Sequence, residues 1–214
     1  KEVVHHHYPI SMHCIKRTND YHAKDIEQIS SATSLRIALK HGIDVAHQLP
    51  GYETYKDSHF FTLEEFYPYL KYLITFTPLE GLHMIEEGLD DRLYKVNQEI
   101  CNLEELINAL TSKRYTRSRI QRMLIHILLH NTKEEMKKAM DIDYIHILGL
   151  STKGQRYIKT AKKNTEYKII TNITKHKHPA LDIEKRGAQL LDLVDPGFFK
   201  ETIKAIPYRK VDLK

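Results

Sequence analysis

No tryptophan occurs in this chain, and its two cysteines, Cys14 and Cys101, stand apart with no CxxC spacing. That excludes a disulfide framework and a cysteine-built zinc site, and it fits a reducing, cytoplasmic setting. Glycine is scarce, eight residues in 214 against thirteen tyrosines, which argues against barrels and Gly-rich sandwiches. No apolar run approaches the ~20 residues that cross a bilayer, and no signal peptide is read at the start, so no membrane partner is expected. Charge is not scarce. The formal net charge is +5 with histidine neutral and the pI is about 9.0, a bias that permits a polyanionic partner without requiring one. Hydrophobic residues at 41% suffice for a real core.

The periodicity is mainly helical. A short strand is expected over Ile10–Arg17, then a polar loop, then a helix in "ISSATSLRIALKHG" that starts at a Ser/Thr cap and stops at Gly42. "VAHQLPGYETYKDSH" has the turn residues of a connector. From Phe61 onward short helices follow one another. Thr62 with Glu65 and Asn102 with Glu105 have capping-box spacing, and Thr77-Pro78 with Glu80 reads as a helix start. Thr116 and Thr132 are further caps. Near the end, "YIHILGL" (Tyr144 to Leu150) reads as a buried strand, "STKGQRYIKTAKKN" as a helix and "YKIIT" as a second strand. Together they make a small βαβ unit, with two closing helices expected over Leu181–Val194 and Pro196–Ala205. The fold class is thus α+β, mainly α: a bundle of short helices with a βαβ unit near the C-terminus.

One stretch joins opposite chemistries. In "SKRYTRSRIQRMLIHILLH" (Ser112 to His130), Lys113, Arg114, Arg117, Arg119 and Arg122 lead into an aliphatic run. On a helical wheel Tyr115, Arg119, Arg122, His126 and His130 share one arc, beside an apolar arc of Ile120, Met123, Leu124, Ile127 and Leu128. The apolar arc would dock on the bundle and leave a cationic stripe outside. Cations crowded at a helix N-terminus repel one another and oppose its dipole, a conflict that an arriving phosphate would relieve. A solvated charged face is the competing reading.

A second constellation pairs Arg17 with the hydroxyl-rich helix start "ISSATSLR" and Arg36, groups suited to a triphosphate. "ISSATSLR" resembles the second signature of the HIGH-type nucleotidyltransferase superfamily, I-S-S-T-x-I-R, with Ala32 in place of a Ser and Ser34 at a Lys-like position. The ordered set "IKRTNDYH", "ISSATSLR", "KRYTRSRIQRMLIHILL" and "ILGLSTKGQ" resembles the bacterial tRNA(Met) cytidine acetate ligase family over essentially the whole chain.

That resemblance implies an enzyme that activates acetate with ATP as acetyl-adenylate and acetylates N4 of the wobble cytidine of elongator tRNA(Met). Arg17, Ser31, Thr33 and Arg36 would serve ATP; Lys113, Arg114, Tyr115, Arg117, Arg119 and Arg122 would face the tRNA. The family's GxxHxGH-like motif does not occur here, and no catalytic residue is assigned. Residues 1–45 are therefore expected to be the last strand and helix of a nucleotidyltransferase α/β catalytic domain, and residues 46–214 a helical tRNA-binding domain, inactive without the rest. Two rivals stay open: a related adenylyltransferase with a small-molecule substrate, and a non-catalytic module binding nucleic acid or an acidic protein.

Other candidates are weaker. His5, His6, His7, His13 and His22, and the pair His176 and His178, lack partners at metal-ligand spacing, so no metal is expected. "TKGQRYIKTAKK" has no P-loop glycines. Lys159, Lys162 and Lys163 either extend the basic surface or form a solvated helix face.

Overall fold

The computed structural model describes residues 30–86 and 88–203, the backbone of 208–210, and isolated positions at 10, 11, 13, 14, 16 and 26. The strand expected over Ile10–Arg17 falls largely outside them, and Arg17 itself lies outside. The chain divides into two compact units, Lys1–Phe60 and Phe61–Lys214.

In the first unit, α1 (Ala32–Lys40) is capped by Ser31, whose Oγ accepts the Ser34 amide at 3.1 Å. Ala38 and Val45 are its buried apolar side chains, and a short α2 (Tyr52–Tyr55) follows a left-handed Gly51.

The second unit begins with the Thr62–Glu65 capping box. Thr62 donates its amide at 2.6 Å and its hydroxyl at 2.7 Å to Glu65 Oε1. A 3-10 turn, Leu63–Phe66, then leads into α3 (Tyr67–Phe76). Helices α4 (Leu89–Glu99), α5 (Leu103–Leu110) and α6 (Arg117–Leu128) pack with α3 around Leu70, Ile74, Leu93, Leu106, Leu110, Ile120, Leu124 and Ile127, all essentially sealed from water. Their apolar residues recur at helical spacing, so one face of each helix buries and the other stays polar.

The helix expected from Thr77-Pro78 does not form. The segment 77–86 runs as irregular chain, with Gly81 at φ 80° and Met84 at φ 67°. Its backbone bonds outward: His83 donates to the Asn131 carbonyl at 2.8 Å, and Lys133 donates to the Gly81 carbonyl at 2.9 Å. Leu79, Leu82 and Ile85 are buried as anchors. Tertiary hydrogen bonds and three apolar plugs outcompete a local start signal.

Helix α7 (Lys133–Ala139) is capped by Thr132. The run read as one buried strand is two short ones, β1 (Tyr144–His146) and β2 (Gly149–Ser151), broken at Leu148, which is 74% exposed. β1 pairs in parallel with β3 (Lys168–Ile170), and β2 in parallel with β4 (Tyr208–Lys210). Helix α8 (Thr152–Ala161) lies between β2 and β3 in sequence. Helices α9 (Pro179–Asp192) and α10 (Phe198–Ile203) pack on each other. A smaller core of Ile173, Leu181, Ala188 and Ile203 holds this part together.

Candidate nucleic-acid interface

The start of α6 is assembled by a turn, Ser112–Tyr115, in which Ser112 N–H donates to the Tyr115 carbonyl at 2.9 Å and Tyr115 N–H to Ser112 Oγ at 3.1 Å. Thr116 stands at the N-cap, yet its side chain makes no capping bond. Placing Tyr115 on the outward stripe was an error of geometry: it precedes the first helical turn, so the helical wheel does not apply to it. Tyr115 is only 8% exposed and belongs to the main core. His130 likewise lies past the last turn, with φ 50°.

The cations are not left in unrelieved conflict, contrary to the expectation from sequence. Glu86, at the end of the irregular 77–86 segment, accepts from Arg114 at 3.0 Å, from the Tyr115 hydroxyl at 3.0 Å, and from Arg119. Both guanidinium groups also sit over the Tyr115 ring, 5.3 and 5.0 Å from its centroid. The Tyr115 hydroxyl, then Arg119 and Arg114, hold the Glu86 carboxyl below the usual range against the opposing effect of burial. Arg117 forms a fork on Glu104, at 2.9 and 2.5 Å, and reaches Asn108 Oδ1 at 3.1 Å. These pairs remain open to solvent. The Arg114 side chain is 74% exposed and the Arg117 side chain 43%, while Arg119 is reduced to 33%. Exposed ion pairs contribute little to stability and exchange partners readily, so a phosphate meets reachable cations. Lys113 and Arg122 are exposed and, among the described residues, pair with no carboxylate; Arg122 Nε donates only to the Ser118 carbonyl at 3.2 Å.

Of the second constellation, Arg17 lies outside the described residues, and α1 holds the other three members. Ser31 is buried and its hydroxyl is committed to capping α1, with Ser34 Oγ 3.1 Å away. Thr33 and Arg36 are exposed, three residues apart on one helix face, and Arg36 Nη1 donates to the Ala32 carbonyl at 3.4 Å. With no acid in the first turn of α1, that hydroxyl and that cation suit an anion such as a phosphate.

Sequence reading missed Glu86, Glu104 and a half-buried hydrogen-bond chain that begins on α6. His126 Nδ1 accepts from the Asn131 amide nitrogen at 3.0 Å, and Arg186 donates to Asn131 Oδ1 at 2.8 Å and to Glu135 Oε2 at 2.6 Å. Glu135 gives its backbone amide to the Thr132 cap at 3.1 Å and its carboxylate to Arg186. Burial, then neighbouring His83 and Arg122, push the His126 imidazole below the ordinary histidine value. A depressed histidine means that the unfolded chain binds protons first. The contribution of His126 is therefore complete above about pH 6.5 and is lost as pH falls below it. Melting temperature should decline more steeply with acidification in the parent than in His126→Gln; equal slopes by calorimetry would contradict this. Among the described residues no cluster of metal-ligating side chains forms. His176 instead donates to Asp143 at 2.9 Å, and His178 caps α9 through the Ala180 amide at 3.1 Å.

A family model described as HIGH Nucleotidyl Transferase matches residues 1–204, and the chain belongs to that family. Its curated relatives are more particular. It is 32% identical over 207 residues to the tRNA(Met) cytidine acetate ligase of Bacillus subtilis (strain 168), covering 87% of this chain and 50% of that protein. It is 34% identical over 206 residues to the enzyme of the same name from Geobacillus sp. (strain WCH70), covering 88% and 51%. Its fold matches the apo crystal structure of Thermotoga maritima TmcAL, with a TM-score of 0.76, 20% identity, and coverage of 97% of this chain and 58% of that one. A second crystal form of that protein, bound with alpha-thio ATP, matches with a TM-score of 0.67 at 21% identity, covering 85% and 52%. The chain spans about half the length of the curated relatives it matches.

Proposed function

We propose that this chain is the tRNA-holding part of an ATP-dependent tRNA(Met) cytidine acetate ligase. The observation that carries the reading is identity of about one third, over nearly nine-tenths of the chain, to proteins curated under that name. In the whole enzyme, acetate oxygen attacks the α-phosphorus of ATP to give acetyl-adenylate and pyrophosphate. N4 of the wobble cytidine of elongator tRNA(Met) then takes the acetyl group, releasing AMP and a proton. Arg17, Thr33 and Arg36 would counter charge on the phosphates, and Ser31 would hold the α1 cap that positions Thr33 and Arg36. Residues 1–45 would close the catalytic domain and 46–214 hold the tRNA, in the cytoplasm. Lys113, Arg114, Arg117, Arg119 and Arg122 would meet the tRNA backbone, with Tyr115 as the buried platform that orients the two guanidinium groups stacked on it.

The testing experiment is tRNA binding by this polypeptide across a salt series. With three of the five cations at the start of α6 already on carboxylates, that cluster alone should contribute about −2 to −4 to the logarithmic slope, since each phosphate neutralised contributes roughly −0.7 to −0.9. A flat salt response, or equal affinity for an acidic peptide, would refute the proposal.

A further inference from the structure

Helix α8 has a surface that its own fold does not explain. None of its residues is buried. Gly154, Ile158 and Ala161 lie on the half-covered side, where the helix packs on β2. The opposite face presents Lys153, Arg156 and Lys159, with Lys163 in the turn that follows and Tyr157 at the edge beside Lys153, 72% exposed.

No acidic residue occurs from Thr152 to Asn164, and among the described residues none of these cations is paired with a carboxylate. Helices α1 (Arg36, Lys40) and α3 (Lys71) likewise lack an acid in the first turn but hold fewer cations. Helices α4, α5, α7 and α9 place an Asp or Glu in the first turn, and α6 borrows Glu86 and Glu104. In α8, like charges stand three residues apart (Lys153 and Arg156, Arg156 and Lys159), which destabilises a helix, and Lys163 follows just past its end; Lys153 also opposes the positive end of the dipole. A solvated face has no need of this concentration. An acidic protein would be met by the cations alone, whereas an exposed flat phenol beside them suits an unpaired base.

The geometry points to the outer face of α8 as a second RNA-contacting surface: the cations follow the sugar–phosphate backbone and Tyr157 stacks on an unpaired base. This deepens the tRNA reading above and rests on it for the choice of RNA. The test uses the full chain with two probes, elongator tRNA(Met) and polyuridylate. Lys153→Ala/Arg156→Ala/Lys159→Ala should lower the salt slope for both by about two to three. Tyr157→Ala should weaken polyuridylate binding roughly tenfold with the slope unchanged. All four positions are exposed, so far-UV circular dichroism should match the parent; Lys159→Glu/Lys163→Glu is the second variant should the triple one misfold. If the parent binds tRNA and the variants bind both probes as it does, the surface is overturned while the tRNA reading stands. If the parent binds polyuridylate through α8 but not tRNA, the surface stands and the tRNA reading falls. Binding to neither probe overturns both. Displacement by polyglutamate as effective as by RNA overturns the surface in favour of an acidic protein.

Discussion

Replacing Lys113 and Arg122 together by glutamate is expected to weaken tRNA binding about a hundredfold near physiological salt and to lower the logarithmic salt slope by about two. The pair is chosen from the geometry. Both side chains are exposed, and neither belongs to a carboxylate pair among the described residues, so their reversal breaks no ion pair there and costs only the Arg122 bond to the Ser118 carbonyl. Each change removes an attraction to phosphate and installs a repulsion at the same spot. Arg119→Glu would be a poorer probe, because its carboxylate would face Glu86 and leave the Tyr115 hydroxyl and Arg114 to rearrange. Filter binding, with a circular dichroism check on folding, measures the effect. Affinity within twofold of the parent would remove the start of α6 from any RNA interface and would favour a small-molecule substrate.

The largest stability effect should come from the other side of the same helix. Leu124→Ala removes a side chain with no solvent exposure from the centre of the main cluster, between Ile120 and Ile127 on one face of α6. Loss of its transfer energy together with the cavity left behind should cost about 3 kcal/mol, and for a chain of this size that lowers the melting temperature by roughly 6–12 °C. Thermal denaturation of parent and variant provides the comparison. A drop below about 2 °C would mean that the site collapses freely, and that the oily face of α6 is not what fixes its cationic end against the bundle.

Local physics made much of this molecule legible from sequence. The apolar spacing of α3 to α6, the Ser31, Asn102 and Thr132 caps and the box at Thr62 depend on residues at most four apart, and each is found as read. The same locality explains the failures. Thr77-Pro78 carries a start signal, but Leu79, Leu82 and Ile85 gain more as separate plugs than as one helical face. The wheel placed Tyr115 outside because a wheel assumes helix where the chain is still turning. Whether Arg114 and Arg119 face an open conflict or a carboxylate depended on Glu86, nearly thirty residues upstream in a segment with no periodicity.

By itself, then, the sequence determined the class of elements, the docking side of α6, the places where cations gather and the family resemblance, because all of these follow from short-range spacing and residue type. Only the tertiary structure decided which cations are compensated and which are not, since a charge pair is set by distance in space. Glu86 and Glu104 come to α6 from elsewhere in the chain, and no acid within its own span or among the described residues does the same for α8.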